Sequence, residues 1–100
     1  MMDRKAYQAK VEGQLKEWKA ELDKLAAKAQ QAEATAKIEL TQQATELTQR
    51  YDDVKGRLEE FKKAGEDKWQ EARDKVEAAS AEFKRTLNHM LGERGSMAKR

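Results

Sequence analysis

Six carboxylates stand in adjacent pairs, Asp52-Asp53, Glu59-Glu60 and Glu66-Asp67, and a single imidazole, His89, lies near the C-terminal end. Paired carboxylates are what general acid-base chemistry or a divalent cation would use, and an imidazole that titrates near neutrality is a common proton shuttle or metal ligand. The spacing speaks against both. Neighbours on a helix point about 100° apart, so the members of each pair diverge instead of converging on one atom. His89 has no second histidine and no cysteine to join it. No glycine-rich phosphate loop, nucleophile-base pair or metal spacing is present. Trp18 and Trp69 could stack on a ligand or anchor a lipid interface, but both sit among leucines, where packing is the simpler role. The expectation is a protein with no catalytic residue, no cofactor and no metal.

Composition narrows the class further. Of 100 residues 40% are charged and 38% hydrophobic, with no proline and no cysteine, and the mean hydropathy is −1.09. Twenty-one bases face 19 acids, a net charge of +2, and the two signs alternate along the chain. A nucleic-acid binder would gather its bases on one face, so nucleic acid is not expected as a partner. Residues 84–100 are mildly basic, with Lys84, Arg85, Arg94, Lys99 and Arg100 against Glu93, and read as a solvated tail. Met1 to Lys5 lead straight into charged residues, and no stretch reaches the length of a membrane span. The expected setting is the cytoplasm.

What positions all these residues is one apolar stripe. In steps of three or four it passes Tyr7, Val11, Leu15, Trp18, Leu22, Leu25, Ala29, Ala32, Ala36, Leu40, Ala44, Leu47, Tyr51, Val54, Leu58, Phe61, Gly65, Trp69, Ala72, Val76, Ala79, Phe83 and Leu87. All six aromatics lie on it. The mean step is close to the ~3.6 residues per turn of an α-helix, so helix is expected almost end to end. The larger of these residues, Tyr7 to Leu25, Leu40 to Phe61, and Trp69, Val76, Phe83 and Leu87, form the expected helix-helix interface. Steps of four repeat at Ala36, Leu40 and Ala44 and at Phe61, Gly65 and Trp69, which relaxes a left-handed supercoil and predicts nearly straight helices.

Asp3 is the predicted N-cap. Acid-base pairs at i,i+4 are expected between Glu12 and Lys16, Glu33 and Lys37, Asp53 and Arg57, Glu59 and Lys63, and Glu71 and Lys75. The best break is Phe61 to Asp67, where two lysines suit a helix end, Gly65 suits a left-handed residue and two acids suit the next helix start. Gly92 to Ser96 should end the last helix. Between Ala29 and Gln49 the chain is rich in Ala, Gln and Thr, and Ile38 is the one strong hydrophobe pointing off the stripe; it reads as an isolated surface residue, with a second contact or a bend as the alternative.

The predicted fold is all-α and elongated: a coiled-coil-like domain over residues 1–92 and a flexible basic tail over 93–100. One long helix runs from Asp3 to Ala64, roughly 90 Å, followed by a break or kink near 65 and a shorter helix from Glu66 to Leu91. Such a short second helix would leave most of the first bare, so self-association is expected. The alternative is a three-helix bundle with an added turn near Ala36 to Leu40. Around the last helix Lys68, Arg73 and Lys75 flank the stripe while Asp67, Glu71, Asp74 and Glu77 lie opposite, which suits a membrane interface as well as a coiled coil.

The runs Tyr7-Gln8-Ala9-Lys10, Gln14-Leu15-Lys16-Glu17-Trp18, Leu22-Asp23-Lys24-Leu25 and Ala36-Lys37-Ile38-Glu39 bear a family likeness, as above all does Leu58-Glu59-Glu60-Phe61-Lys62-Lys63-Ala64-Gly65-Glu66-Asp67-Lys68-Trp69. Over roughly residues 3–90 the chain resembles the short bacterial coiled-coil proteins grouped as a stress-response family. The resemblance implies a small cytoplasmic bacterial protein linked to stress, without catalysis, and transfers no active-site residue. The functional expectation is a non-enzymatic coiled-coil protein acting as a homo-oligomer or on a protein partner, with an amphipathic lipid-surface binder as the alternative.

Overall fold

The computed structural model describes the backbone of residues 3–99 and the side chains of residues 3–90. Three α-helices follow one another, α1 (Arg4–Gln31), α2 (Ala34–Lys63) and α3 (Trp69–Lys99). Short links make α1 and α2 antiparallel, and likewise α2 and α3. The molecule measures 51 × 26 × 17 Å, about the length of one 30-residue helix at ~1.5 Å per residue.

The expected 60-residue first helix is therefore replaced by a hairpin. The chain reverses at Ala32 (φ −79°, ψ 155°) and Glu33 (φ −76°, ψ 167°), both extended. That conformation is open to any L-residue, so the reversal needs no glycine, proline or asparagine to announce it. It also falls ahead of the Ala36 to Leu40 turn of the alternative bundle. Lys37 N–H donates to the Glu33 carbonyl at 2.7 Å, which starts α2 without a side-chain cap.

Two predicted boundaries lie where expected. Asp3 caps α1, its Oδ1 accepting from Ala6 N–H at 2.7 Å. The second break runs from Ala64 to Lys68, with Lys62 and Lys63 in the last turn of α2. Its geometry differs from expectation, since no described residue has a positive φ. Ala64 is extended (φ −69°, ψ 140°), and Lys68 and Trp69 N–H both donate to the Gly65 carbonyl at 3.0 Å. α3 continues through Gly92 and Gly95, past its predicted end at Leu91. A glycine costs a helix about 1 kcal/mol relative to alanine, a penalty and not a stop. The side chains of the expected basic tail lie outside the described residues.

The stripe becomes one core. Tyr7, Val11, Leu15, Trp18 and Leu22 of α1 meet Leu47, Val54, Leu58 and Phe61 of α2 and Ala72, Val76, Ala79, Phe83 and Met90 of α3. Leu25, Tyr51, Trp69 and Leu87 pack against this cluster half-buried. Leu40 is half-buried outside it, and Ala36, next to the reversal, is exposed. With α1 and α3 both covering α2 within one chain, no long bare helix is left, and the stripe is covered without a second subunit.

α1 and α3 both pack closely on α2, but among the described residues no Cα of α1 comes within 8 Å of a Cα of α3. Aromatic side chains close that wider seam. Trp18 of α1 stacks on Phe83 of α3 with ring centroids 4.3 Å apart and planes 20° apart. Of the five predicted i,i+4 ion pairs only Asp53–Arg57 forms, at 3.6 Å. Glu12 turns instead across the α1–α2 interface to Lys62 at 3.5 Å.

A Cβ added at Gly13 or Gly56 would meet nothing within 4 Å. Gly13→Ala and Gly56→Ala should each stabilise the bundle by about 1 kcal/mol, raising Tm by about 4–8 °C in thermal unfolding. At Gly65 the Cβ would touch Asp67 Oδ1 at 3.5 Å with no positive φ, so Gly65→Ala should shift stability by less than about 1 kcal/mol.

Candidate functional site

The residues that could have carried chemistry do not assemble. Asp52, Asp53, Glu59, Glu60, Glu66, Asp67 and His89 are exposed. Asp53 and Glu60 both turn to Arg57, at 3.6 and 3.2 Å. Among the described residues no group of three or more His, Cys, Asp or Glu side chains is placed to hold a metal ion. No helix among them is long and apolar enough to cross a membrane.

The densest set of specific interactions lies at the end where α1 begins and α2 finishes. Arg4 donates to the carbonyl oxygen of Ala64, just past the end of α2, and at 3.3 Å to that of Phe61, which also accepts from Ala64 N–H at 3.2 Å. Its guanidinium carbon also lies 5.8 Å from the Phe61 ring centroid and 5.9 Å from that of Trp69. Arg73 approaches Trp69 at 5.8 Å. Phe61 in turn contacts Tyr7 (centroids 5.1 Å) and meets Trp69 edge-on (6.1 Å, 83°). One cation thus completes the end of α2 and covers the aromatic face of the core, with a positive charge placed where the helix dipole is negative.

Tyr7 is buried within this cluster. The Glu77 carboxylate is near enough to act on it electrostatically, but the hydroxyl closes no hydrogen bond of good geometry. Burial first, and Glu77 second, push the phenol well above its ordinary value; Arg73 opposes them weakly. Ser80, also buried, leaves its Oγ without a partner. Lys62 is held above the usual ammonium range by a hydrogen bond to Glu59, reinforced by the charges of Glu59 and Glu12.

Two open grooves run along the outer α1–α2 seam. Leu15, Tyr51 and Leu58 line one of about 320 Å³, with Lys16, Lys19, Lys55 and Lys62 along it. Ala26, Ala29, Thr41, Ala44, Thr45 and Thr48 line much of the other, about 360 Å³, toward the reversal. Glu12 and Glu59 also line the first groove and close on Lys62 as exposed ion pairs at 3.5 and 3.2 Å, while the second is lined by no acid.

The outward side of α2 is different again. Ala34, Ile38, Thr41, Thr45 and Thr48 follow one another in steps of four and three, and all are exposed, Ile38 at 62%. Thr35, Gln42 and Gln49 flank this row and are exposed too. The three threonines also line the groove toward α1, Lys37 borders the row beside them, and Asp52 ends it. The outward faces of the other helices carry Lys5, Glu12, Lys16 and Asp23 on α1, and Asp74, Glu77, Lys84 and Arg85 on α3.

Of the sixteen residues assigned to the helix-helix interface, all but Leu40 lie in the core or directly against it. Three residues were missed. Met90 is one further step of three beyond Leu87, so the stripe could have been extended to it. Ser80 and Arg4 left no such trace. Arg4 reaches carbonyls 57 and 60 positions away, which no local periodicity encodes. No family model, no curated protein and no solved structure matches the chain.

Arg4→Met should lower stability by about 1–2 kcal/mol in urea unfolding, because it strips the Ala64 carbonyl of its side-chain partner and removes the cation from the Phe61 and Trp69 rings, and Arg4→Lys should recover only part of that. A folded-state phenol pKa above the unfolded value contributes stability that is complete below about pH 10 and lost as pH rises beyond it. The stability difference between wild type and Tyr7→Phe should therefore be flat from pH 6 to about 9 and move against wild type above about pH 10. At neutral pH the variant should lie within about 1 kcal/mol of wild type, since the hydroxyl it removes has no partner.

Proposed function

We propose that the protein is a non-enzymatic helical bundle that acts by helix-helix association with protein partners. A single observation carries the reading. The apolar stripe is already consumed in a closed core, with Phe61, Phe83, Val54 and Val76 at most 1% exposed, while the one large hydrophobe left in solvent among the described residues, Ile38, stands on a largely uncharged helix face. In a protein so heavily charged, such a face is where another helix can lie without desolvating ions. Both grooves are open, and the titratable groups that meet in one of them, Glu12, Glu59 and Lys62, are exposed and spent on one another as ion pairs, which supports the non-enzymatic part of the reading. Its cytoplasmic setting and its link to stress rest on the sequence resemblance.

The lipid-surface alternative requires the stripe itself to be uncovered. Lifting α1 from the bundle would expose Tyr7, Val11, Leu15, Trp18 and Leu22 together. At about 1.5–3 kcal/mol for each large apolar side chain, that loss is comparable to the whole stability of a small domain.

Titration with phosphatidylglycerol vesicles tests the choice through tryptophan emission, since Trp18 is buried and Trp69 half-buried in the free protein. The expected result is no shift in the emission maximum and no change in helicity. A blue shift accompanied by loss of thermal cooperativity would replace the protein-partner reading with the lipid one.

A further inference from the structure

We infer that the lysine-bearing groove on the outer α1–α2 seam docks an acidic amphipathic helix of a partner protein. This rests on the protein-partner reading above and adds the partner's chemistry. Charge signs alternate along the chain, but folding sorts them in this groove, which four lysines and two glutamates line. The helical neighbours that could neutralise Lys16 and Lys55 are Glu12 and Glu59, each four residues away. Both turn to Lys62 instead, at 3.5 and 3.2 Å. Lys16 and Lys55 therefore close no ion pair among the described residues.

The antiparallel register gives the groove two unlike ends. Lys19 follows Glu12 by seven residues and Lys55 precedes Lys62 by seven, so these two lysines stand level, about 10 Å along the seam from the Glu12–Lys62 pair. Both acids that line the groove are gathered at the Lys62 end, and the other end carries Lys16, Lys19 and Lys55. Lys19 has only the exposed Asp23 of its own helix, at 3.2 Å. Like charges facing one another across a seam repel, and a carboxylate laid between them relieves that repulsion.

The floor decides what carries the carboxylate. Tyr51 is half-buried in the groove beside Leu15 and Leu58, and the lysine stems add further apolar surface. A free inorganic anion would leave that floor wet, and a flat bilayer surface does not follow a furrow between two helices. A helix that lays one apolar side chain over Tyr51 and Leu58, with carboxylates on either side, matches both the floor and the rim. Because the rim charges are exposed, the complex is weak and salt-dependent, with a dissociation constant on the order of 100 µM at low salt.

Amide-resolved NMR of the full chain tests this by titration to about 1 mM with a synthetic helix of about 18 residues, leucine at heptad spacing and glutamate elsewhere. Shifts should cluster at residues 12–19 and 51–62. Lys16→Glu combined with Lys55→Glu should weaken binding at least tenfold, and Glu12→Gln combined with Glu59→Gln should tighten it about threefold. Lys75→Glu combined with Lys84→Glu makes the same change in net charge on α3 and should leave binding within about twofold. All six positions are exposed, so circular dichroism should show unchanged helicity in each variant. Absence of shifts at the highest peptide concentration, shifts centred elsewhere, or a loss from the α3 pair equal to that from the groove pair overturns the assignment. Inorganic phosphate that moves the same amides as strongly as the peptide makes this a simple anion site and also overturns it. Such a failure with tryptophans unmoved by vesicles leaves the protein-partner reading standing, whereas a vesicle-induced blue shift overturns both.

Discussion

Every feature of this molecule follows from the need to cover one apolar stripe nearly as long as the chain. In a single helix the stripe would lie bare along about 120 Å. Folded twice, it supplies its own cover, and α2 becomes the central element on which both other helices lie. The wider α1–α3 seam is where side-chain size matters most. Trp18 and Phe83 reach across it and stack, while Phe61 of α2 meets Tyr7 of α1 and Trp69 of α3 at the closer interfaces.

The two ends of the bundle are built on different principles. Where α1 begins, a cation, three aromatic rings and two helix carbonyls satisfy one another around Arg4. Where α1 turns into α2, the surface is alanine, threonine and glutamine, and the reversal is made by two extended residues without a side-chain cap. Order at the first end comes from directional contacts. At the second it comes from little more than backbone geometry and the packing of Ala29, so the uncharged face of α2 adjoins the less constrained end.

Much of the fold was legible in the residues. The helical period identified the buried side of all three helices, because burial and periodicity express the same constraint, and Asp3 and the break near Gly65 followed from cap chemistry. The reversal at Ala32 and Glu33 was not legible, since extended backbone at two ordinary residues leaves no compositional mark. The stripe even kept its phase past that point, so periodicity favoured one unbroken helix. The continuation of α3 through two glycines shows the converse, a weak local signal that did not stop the helix. For the candidate surface, Ile38 was visible as an odd residue, but its meaning depended on knowing that Thr41, Thr45 and Thr48 share its exposure. Arg4 could be understood only in three dimensions.

The arrangement of the helices also bears on how quickly the chain finds its shape. Because α1 and α3 each pack on their sequence neighbour α2, and meet each other only through side chains, most native contacts join residues that are near in the chain. Topologies of that kind fold in microseconds to milliseconds, since little loop entropy must be surrendered before contacts begin to form. Two hairpins can nucleate independently around a shared middle helix, and the Trp18–Phe83 stack joins them.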